Sequence, residues 1–87
     1  MTLKIERSTR QGLIIFGLSG RIEAEHLEEL RAILERETDL QGVIVDLREI
    51  KLVDREVVEY LARCEADGVK LENCPAYIRE WMEREKG

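Results

Sequence analysis

Residues 42–61 read GVIVDLREIKLVDREVVEYL, and this stretch decides the fold. Its opening segment, residues 43–47, is apolar apart from Asp46. An apolar run that does not alternate with polar residues is typical of a strand buried on both faces. We therefore expect a central strand that is parallel to its neighbours. Residues 48–53 are expected to form a loop that leads to the next element.

A helix is predicted to follow this loop. Asp54 is a suitable N-cap, and Glu56 in the first turn favours the positive end of the helix dipole. Asp67 and Gly68 are expected to end the helix, with Gly68 after its last turn. The predicted buried face consists of Val57, Val58, Leu61, Ala62 and Cys64. Because Val57 and Val58 are adjacent, we expect one in the core and the other on a partner-facing surface.

Upstream, residues 3–5 and 13–18 read as two strands joined by a turn-like cluster, and their short connection predicts an antiparallel pair. From Glu23 to about Glu37 the apolar period changes to that of an amphipathic helix. Downstream, residues 69–71 predict a short strand, and Pro75 starts a last helix. Its expected core residues are Ile78, Trp81 and Met82, with Tyr77 as a further candidate.

The predicted order is therefore β-β-α-β-α-β-α, an α/β fold with a small, mainly parallel sheet and helices packed against it. The chain has 87 residues, which suits one domain over residues 1–87. With 14 Lys and Arg against 19 Asp and Glu, its net charge is −5, which disfavours binding to nucleic acid. No apolar run approaches a membrane span and no secretory signal is visible, so we expect a cytoplasmic protein without membrane contact.

Candidate chemical groups are few. One histidine, His26, and two cysteines, Cys64 and Cys74, do not supply four zinc ligands at the spacing of a zinc finger. Cys64 is expected to be a small buried hydrophobe. Cys74 precedes Pro75 at a predicted helix N-terminus, where a thiolate is favoured, but no partner base accompanies it. We therefore expect no catalytic residue, metal or cofactor.

The central stretch resembles the heart of the STAS domain, which occurs in bacterial anti-sigma factor antagonists and in sulfate transporter tails. That family has an apolar strand ending in Asp, a short loop, then an apolar residue and Asp-Ser-Ser/Thr-Gly opening a helix. Asp46 matches the first Asp and Asp54 the second. Upstream, LSGRIEAEHLEEL resembles the family's strand, glycine, apolar residue and amphipathic helix. The order of elements agrees over residues 3–86.

The sequence departs from this family in two ways. Arg55 stands where the family has its phosphorylatable serine, and Glu56 and Val57 replace the next hydroxyl residue and the glycine. The resemblance therefore implies an interaction module that phosphorylation at this site does not switch. The family also has one more strand and helix, so we expect a minimal version or an edge supplied by a partner.

The resemblance implies that the chain is a non-catalytic regulatory module, with an anti-sigma factor of the ATPase-kinase type, or a related regulator, as its partner. Ligands of open parallel sheets gather at the carboxyl ends of the strands, so we place the partner surface there. The alternative is that Asp54 serves only as a helix cap and that Arg55 is a solvated charge on the helix surface. The predicted contact residues are Arg21, Ile50, Leu52, Asp54, Arg55, Glu56 and Val58.

Two other functions remain open from the sequence. The chain is alternatively a self-associating homodimeric scaffold, in which an unpaired terminal edge and the helix of Trp81 are buried between two copies. An enzymatic role requires a low-pKa thiol at Cys74, or the carboxylates of Asp46 and Asp54 close together in a pocket.

Overall fold

The elements follow the predicted order β-β-α-β-α-β-α. The structure is a computed structural model that describes residues 3–37 and 40–86. The strands are β1 (Leu3–Arg10), β2 (Leu13–Ile22), β3 (Val43–Val53) and β4 (Lys70–Glu72). The helices are α1 (Leu27–Glu35), α2 (Arg55–Ala66) and α3 (Ala76–Lys86), and a 3-10 turn at Ala24–His26 precedes α1.

The four strands form one mixed sheet in the order β1-β2-β3-β4. β1 pairs with β2 in the antiparallel sense, whereas β3 runs parallel to β2 and β4 runs parallel to β3. The small α/β fold is thus as predicted, but the sheet is mixed because it begins with a hairpin. Parallel pairing follows only where a helix carries the chain back across one face.

The β1–β2 hairpin confirms the predicted antiparallel pair. Its strands are longer than expected, because the turn needs only Gln11 and Gly12. Both residues have positive φ, 53° and 83°, as the two central residues of a tight type I′ hairpin do. Such a turn matches the right-handed twist of the strands, so the ladder extends up to the pair Arg10–Leu13.

β3 corrects the expectation of a loop at residues 48–53, because the strand continues to Val53. Its register against β2 slips twice. Between the pairs Gly17–Asp46 and Ser19–Glu49, and again before the pair Arg21–Leu52, β3 contains one residue more than β2. Each extra residue is a bulge that resets which side chains face the core. Buried residues consequently recur at every third position, Leu47, Ile50 and Val53. This spacing masks the two-residue period by which a strand is recognised in a sequence.

All three helices share one buried cluster with a single face of the sheet. Phe16 and Leu18 of β2 and Val45 and Leu47 of β3 supply the centre of that face, each with no more than 1% of its surface exposed. No helix in residues 3–37 and 40–86 is long and apolar enough to cross a membrane.

The structure shows that the expected division between Val57 and Val58 is wrong. Neither side chain has any exposed surface. α2 packs against α3 on one flank and against the Ala24–His26 turn on the other, in addition to the sheet. A helix enclosed in this way buries a wide arc, which accommodates two adjacent residues.

Candidate functional site

The carboxyl ends of β2 and β3 bring two of the predicted contact residues together. Arg21 on β2 is the register partner of Leu52 on β3, and both side chains are exposed. Leu52 keeps 49% of its surface in solvent, and in the described part of the chain Tyr77 is the other large hydrophobic residue that is exposed. Leu52 is therefore an apolar side chain held in water beside a cation.

α2 adds two charged side chains close to Leu52 along the chain. Arg55 and Glu56 form its exposed first turn. The Arg55 Nε lies 3.5 Å from Glu59 Oε2, and both side chains of this pair are largely exposed. Exposed pairs of this spacing contribute a few tenths of a kcal/mol. We call Arg21, Leu52, Arg55 and Glu56 the β3–α2 corner.

Two of the predicted contact residues do not belong to this surface. Ile50 is 8% exposed, and Val58 has no exposed surface. Ile50 turns inward because the bulges of β3 place it on the core face, and Val58 lies on the enclosed side of α2. Both residues stabilise the fold, and neither side chain is placed to touch a partner.

Asp54 connects three elements behind the corner. It is the N-cap of α2, as predicted, but its side chain does not bond to its own helix. Instead, the Ala24 backbone N–H donates to Asp54 Oδ2 over 2.8 Å. The Asp54 N–H in turn donates to the Ile22 carbonyl over 3.1 Å. This residue therefore fixes the start of α2 to the end of β2 and to the turn before α1.

Asp46 holds the junction between β3 and β4. The Arg48 N–H and the Asn73 side-chain amide donate to Asp46 Oδ1, at 3.0 and 3.1 Å. Burial raises the pKa of Asp46, but these two hydrogen bonds and the positive charges of Arg48 and Arg10 outweigh it, so the net pKa is lowered. Asp46 is ionised and structurally engaged.

The sheet face opposite the helices carries mixed charge. Arg10 lies on one edge strand and Glu72 on the other, and their 3.4 Å ion pair crosses the intervening strands. A cavity of about 240 Å³ lies on this face, lined by Lys4, Glu6, Gly17, Leu18, Ser19, Asp46, Arg48 and Glu49. This lining contains both cations and carboxylates, which favours no single sign of ligand charge.

The sequence interpretation missed a groove of about 400 Å³ between α1 and α2. Tyr60 lies in it with the Arg31 guanidinium 5.7 Å from its ring centroid, a cation–π distance. Tyr60 and Cys64 are four residues apart on one helix face, a spacing that could have indicated the pair. Burial, and then a hydrogen bond with Cys64, raises the pKa of Tyr60, and burial also raises the pKa of Cys64. Both groups are therefore protonated at neutral pH.

The two thiols differ in burial but not in the direction of their pKa shifts. Cys64 is 7% exposed, as predicted, and Cys74 is half-buried. Its position before a helix does not favour the thiolate at Cys74. Burial raises the pKa of Cys74, and the positive charge of Arg79 offsets this effect only in part.

We therefore expect both thiols to be poor nucleophiles in the folded protein. Iodoacetamide at about pH 6 should modify neither of them selectively, and Cys74 should react ahead of Cys64 as the pH rises towards about 9. Mass spectrometry after timed pulses measures this, with the urea-denatured chain as the fully reactive control. Rapid modification of Cys74 at the lower pH would contradict the raised pKa.

His26 has a structural hydrogen bond, in which its Nδ1 accepts from the Glu23 backbone N–H at 2.9 Å. Within residues 3–37 and 40–86, no three His, Cys, Asp or Glu side chains are grouped so that they could hold a metal ion. In the comparisons with known proteins, no family model matches the chain and no curated protein matches its sequence.

Proposed function

We propose that this chain is a non-catalytic, cytoplasmic protein-interaction module of the anti-sigma factor antagonist kind, and that it binds a regulatory protein through the β3–α2 corner. One observation carries the proposal. Leu52 is exposed at 49% where β3 meets α2, next to its register partner Arg21. The corner also includes Arg55, at the position that corresponds to the switch serine in the resemblance to the STAS domain.

The chemistry of the corner suggests what the partner presents. An exposed apolar side chain with Arg21 beside it, and with Arg55 and Glu56 a few residues on in the chain, has the composition of a small interface core with a polar rim. The guanidinium groups of Arg21 and Arg55 can each bind a carboxylate through two parallel hydrogen bonds. The partner surface should therefore contain an apolar pocket for Leu52 with acidic residues at its margin, as an anti-sigma factor of the ATPase-kinase type could provide.

Arg55 also determines how the interaction is regulated. A phosphoserine would add about −1.5 to −2 charges at this place and repel an acidic partner surface. An arginine cannot be modified in this way, and its positive charge attracts the same surface. We therefore propose that binding is constitutive, and that it weakens with salt because it depends on exposed charges.

The test is capture of partners from the cytoplasm of the source organism, combined with a photo-crosslinking residue at position 52. We expect the wild-type chain to capture one regulator and to crosslink to it from position 52. A folded Leu52→Asp, Arg55→Glu variant should lose it, because the change removes the apolar contact and reverses a charge.

The matched control is Tyr77→Asp, Arg36→Glu, which makes the same two kinds of change at exposed residues outside the corner. This control should retain the regulator, and circular dichroism should show both variants folded. Two results would refute the proposed surface. One is equal capture of the regulator by the corner variant, and the other is the absence of a crosslink when the photo-crosslinking residue at position 52 is the only change to the chain.

A further inference from the structure

We infer that β1 pairs with β1 of a second copy of this chain, in antiparallel orientation, to form a continuous eight-stranded sheet. β1 is an edge strand of eight residues. One side of it pairs with β2 from Leu3–Gly20 to Arg10–Leu13 without a register shift, and no described strand lies on its other side. Such an edge presents a row of backbone donors and acceptors to another strand.

The apolar residues of β1 indicate which part of the edge is covered. Leu3 and Ile5 lie on the core face of the sheet and pack at the margin of the buried cluster, yet both are only half-buried. Residues 6–10 of the same strand are exposed. A neighbouring strand centred on Ile5 would pair residues 3–7 of the two copies and so cover both apolar residues of β1.

Symmetry and charge then select the register. A two-fold axis normal to the sheet keeps the helices of both copies on one side, and each pairing must bring together side chains of the same face. With Ile5 on the axis, Ile5 faces its own copy. Lys4 of each chain then lies opposite Glu6 of the second copy, which gives two cross-strand pairs of opposite charge.

Registers centred on the residues next to Ile5 along the strand, from Lys4 to Ser8, are less favourable. Placing Lys4, Glu6 or Arg7 on the axis brings a charged residue opposite its own copy, which is repulsive. Placing Ser8 on the axis uses Arg10, which is already paired with Glu72, and leaves Leu3 and Ile5 uncovered. Charge complementarity and the position of the apolar residues therefore favour the same register.

This inference does not depend on the proposed partner. The two-fold axis points the carboxyl ends of the two parallel strand sets in opposite directions, so the dimer would display its two β3–α2 corners at opposite ends. Loss of dimerisation would leave each corner intact, and loss of regulator binding would leave the β1 edge intact.

The test is a charge exchange read by light scattering and sedimentation equilibrium over a dilution series. We expect the wild-type chain to have the mass of a dimer at high concentration. Lys4→Glu and Glu6→Lys should each weaken dimerisation at least about tenfold, because each variant places like charges opposite one another twice. An equimolar mixture of the two variants should form a heterodimer, and the double exchange, which has the wild-type composition, should restore the homodimer.

Lys51→Glu, on the exposed side of β3, is the control for a change in net charge and should dimerise like the wild type. Lys4 and Glu6 are exposed, so the exchanged chains should fold, and circular dichroism checks this. A wild-type mass that stays monomeric into the millimolar range would overturn the inference. Undiminished dimers of the single variants, or a mixture that fails to associate, would overturn the register.

Discussion

We expect the Val58→Asp variant to be unfolded, or so unstable that no cooperative transition is measurable at room temperature. Val58 has no exposed surface and lies within the cluster shared by the helices and the sheet. An unpaired carboxylate there costs several kcal/mol, whereas a whole domain is stable by about 5–15 kcal/mol. Far-UV circular dichroism and a urea titration measure the loss.

Leu52→Asp is the matched control, because it introduces the same carboxylate at an apolar residue predicted for the same surface. Leu52 is 49% exposed, so the unfolding free energy of this variant should lie within about 0.5 kcal/mol of the wild-type value. Comparison of the two variants therefore distinguishes a residue of the buried core from a residue of the β3–α2 corner. A Val58→Asp chain that unfolds with the wild-type midpoint would mean that α2 turns this residue towards solvent.

The Asp54→Ala variant should lose about 0.5–1.5 kcal/mol of unfolding free energy, the net contribution of one hydrogen bond. The change removes the acceptor at 2.8 Å from the Ala24 N–H, and because this bond is exposed, water can then solvate the donor. The backbone bonds of residue 54 to Ile22, Val57 and Val58 remain possible, so the fold should persist. Urea denaturation monitored by the fluorescence of Trp81 measures the difference.

Asp54→Asn provides a graded control, because its amide oxygen can still accept the Ala24 hydrogen bond. It should lose less stability than Asp54→Ala. Arg55→Ala, one residue along and exposed, should change the unfolding free energy by no more than about 0.5 kcal/mol. If Asp54→Ala unfolds at the wild-type midpoint, the hydrogen bond to Ala24 contributes nothing to stability.

Local patterns were sufficient to predict the order of elements and the end of α2. Gly68 has φ 115° after the helix, and its N–H bonds to the Glu65 carbonyl while the Val69 N–H bonds to the Cys64 carbonyl. These two bonds form a Schellman cap, whose signature is a glycine directly after the last apolar turn. Features of this kind depend on neighbours in the sequence, so the sequence reveals them.

The parts that were missed depend on contacts distant in the sequence. Residues 48–53 read as a loop because bulges, which arise only from pairing with β2, replace the strand period by a spacing of three. Val58 was placed on the surface because the sequence does not show how many neighbours enclose α2. The carboxylate of Asp54 accepts a hydrogen bond from a backbone N–H 30 residues away in the sequence, and a local pattern does not predict such a partner.

The candidate site divides in the same way. Arg21, Leu52, Arg55 and Glu56 were predicted from strand ends and a helix start, and the structure exposes all four. The groove beside Tyr60 requires the facing side of α1, which the spacing along α2 does not reveal. Charge and exposure at the ends of elements are thus easier to predict than a concavity between two helices.

Because of its two bulges, β3 contains more residues between Asp46 and its end than the segment of β2 that pairs with it. Each of them accommodates one extra residue between Asp46 and Asp54 with little change in the length of the strand. A chain that lost one or both extra residues during evolution could hold the same two carboxylates at the same places. Bulges are commonly retained within a family, so the loss of one would shorten the spacing between the two aspartates in the sequence while leaving the remaining pairing of β3 with β2 unchanged.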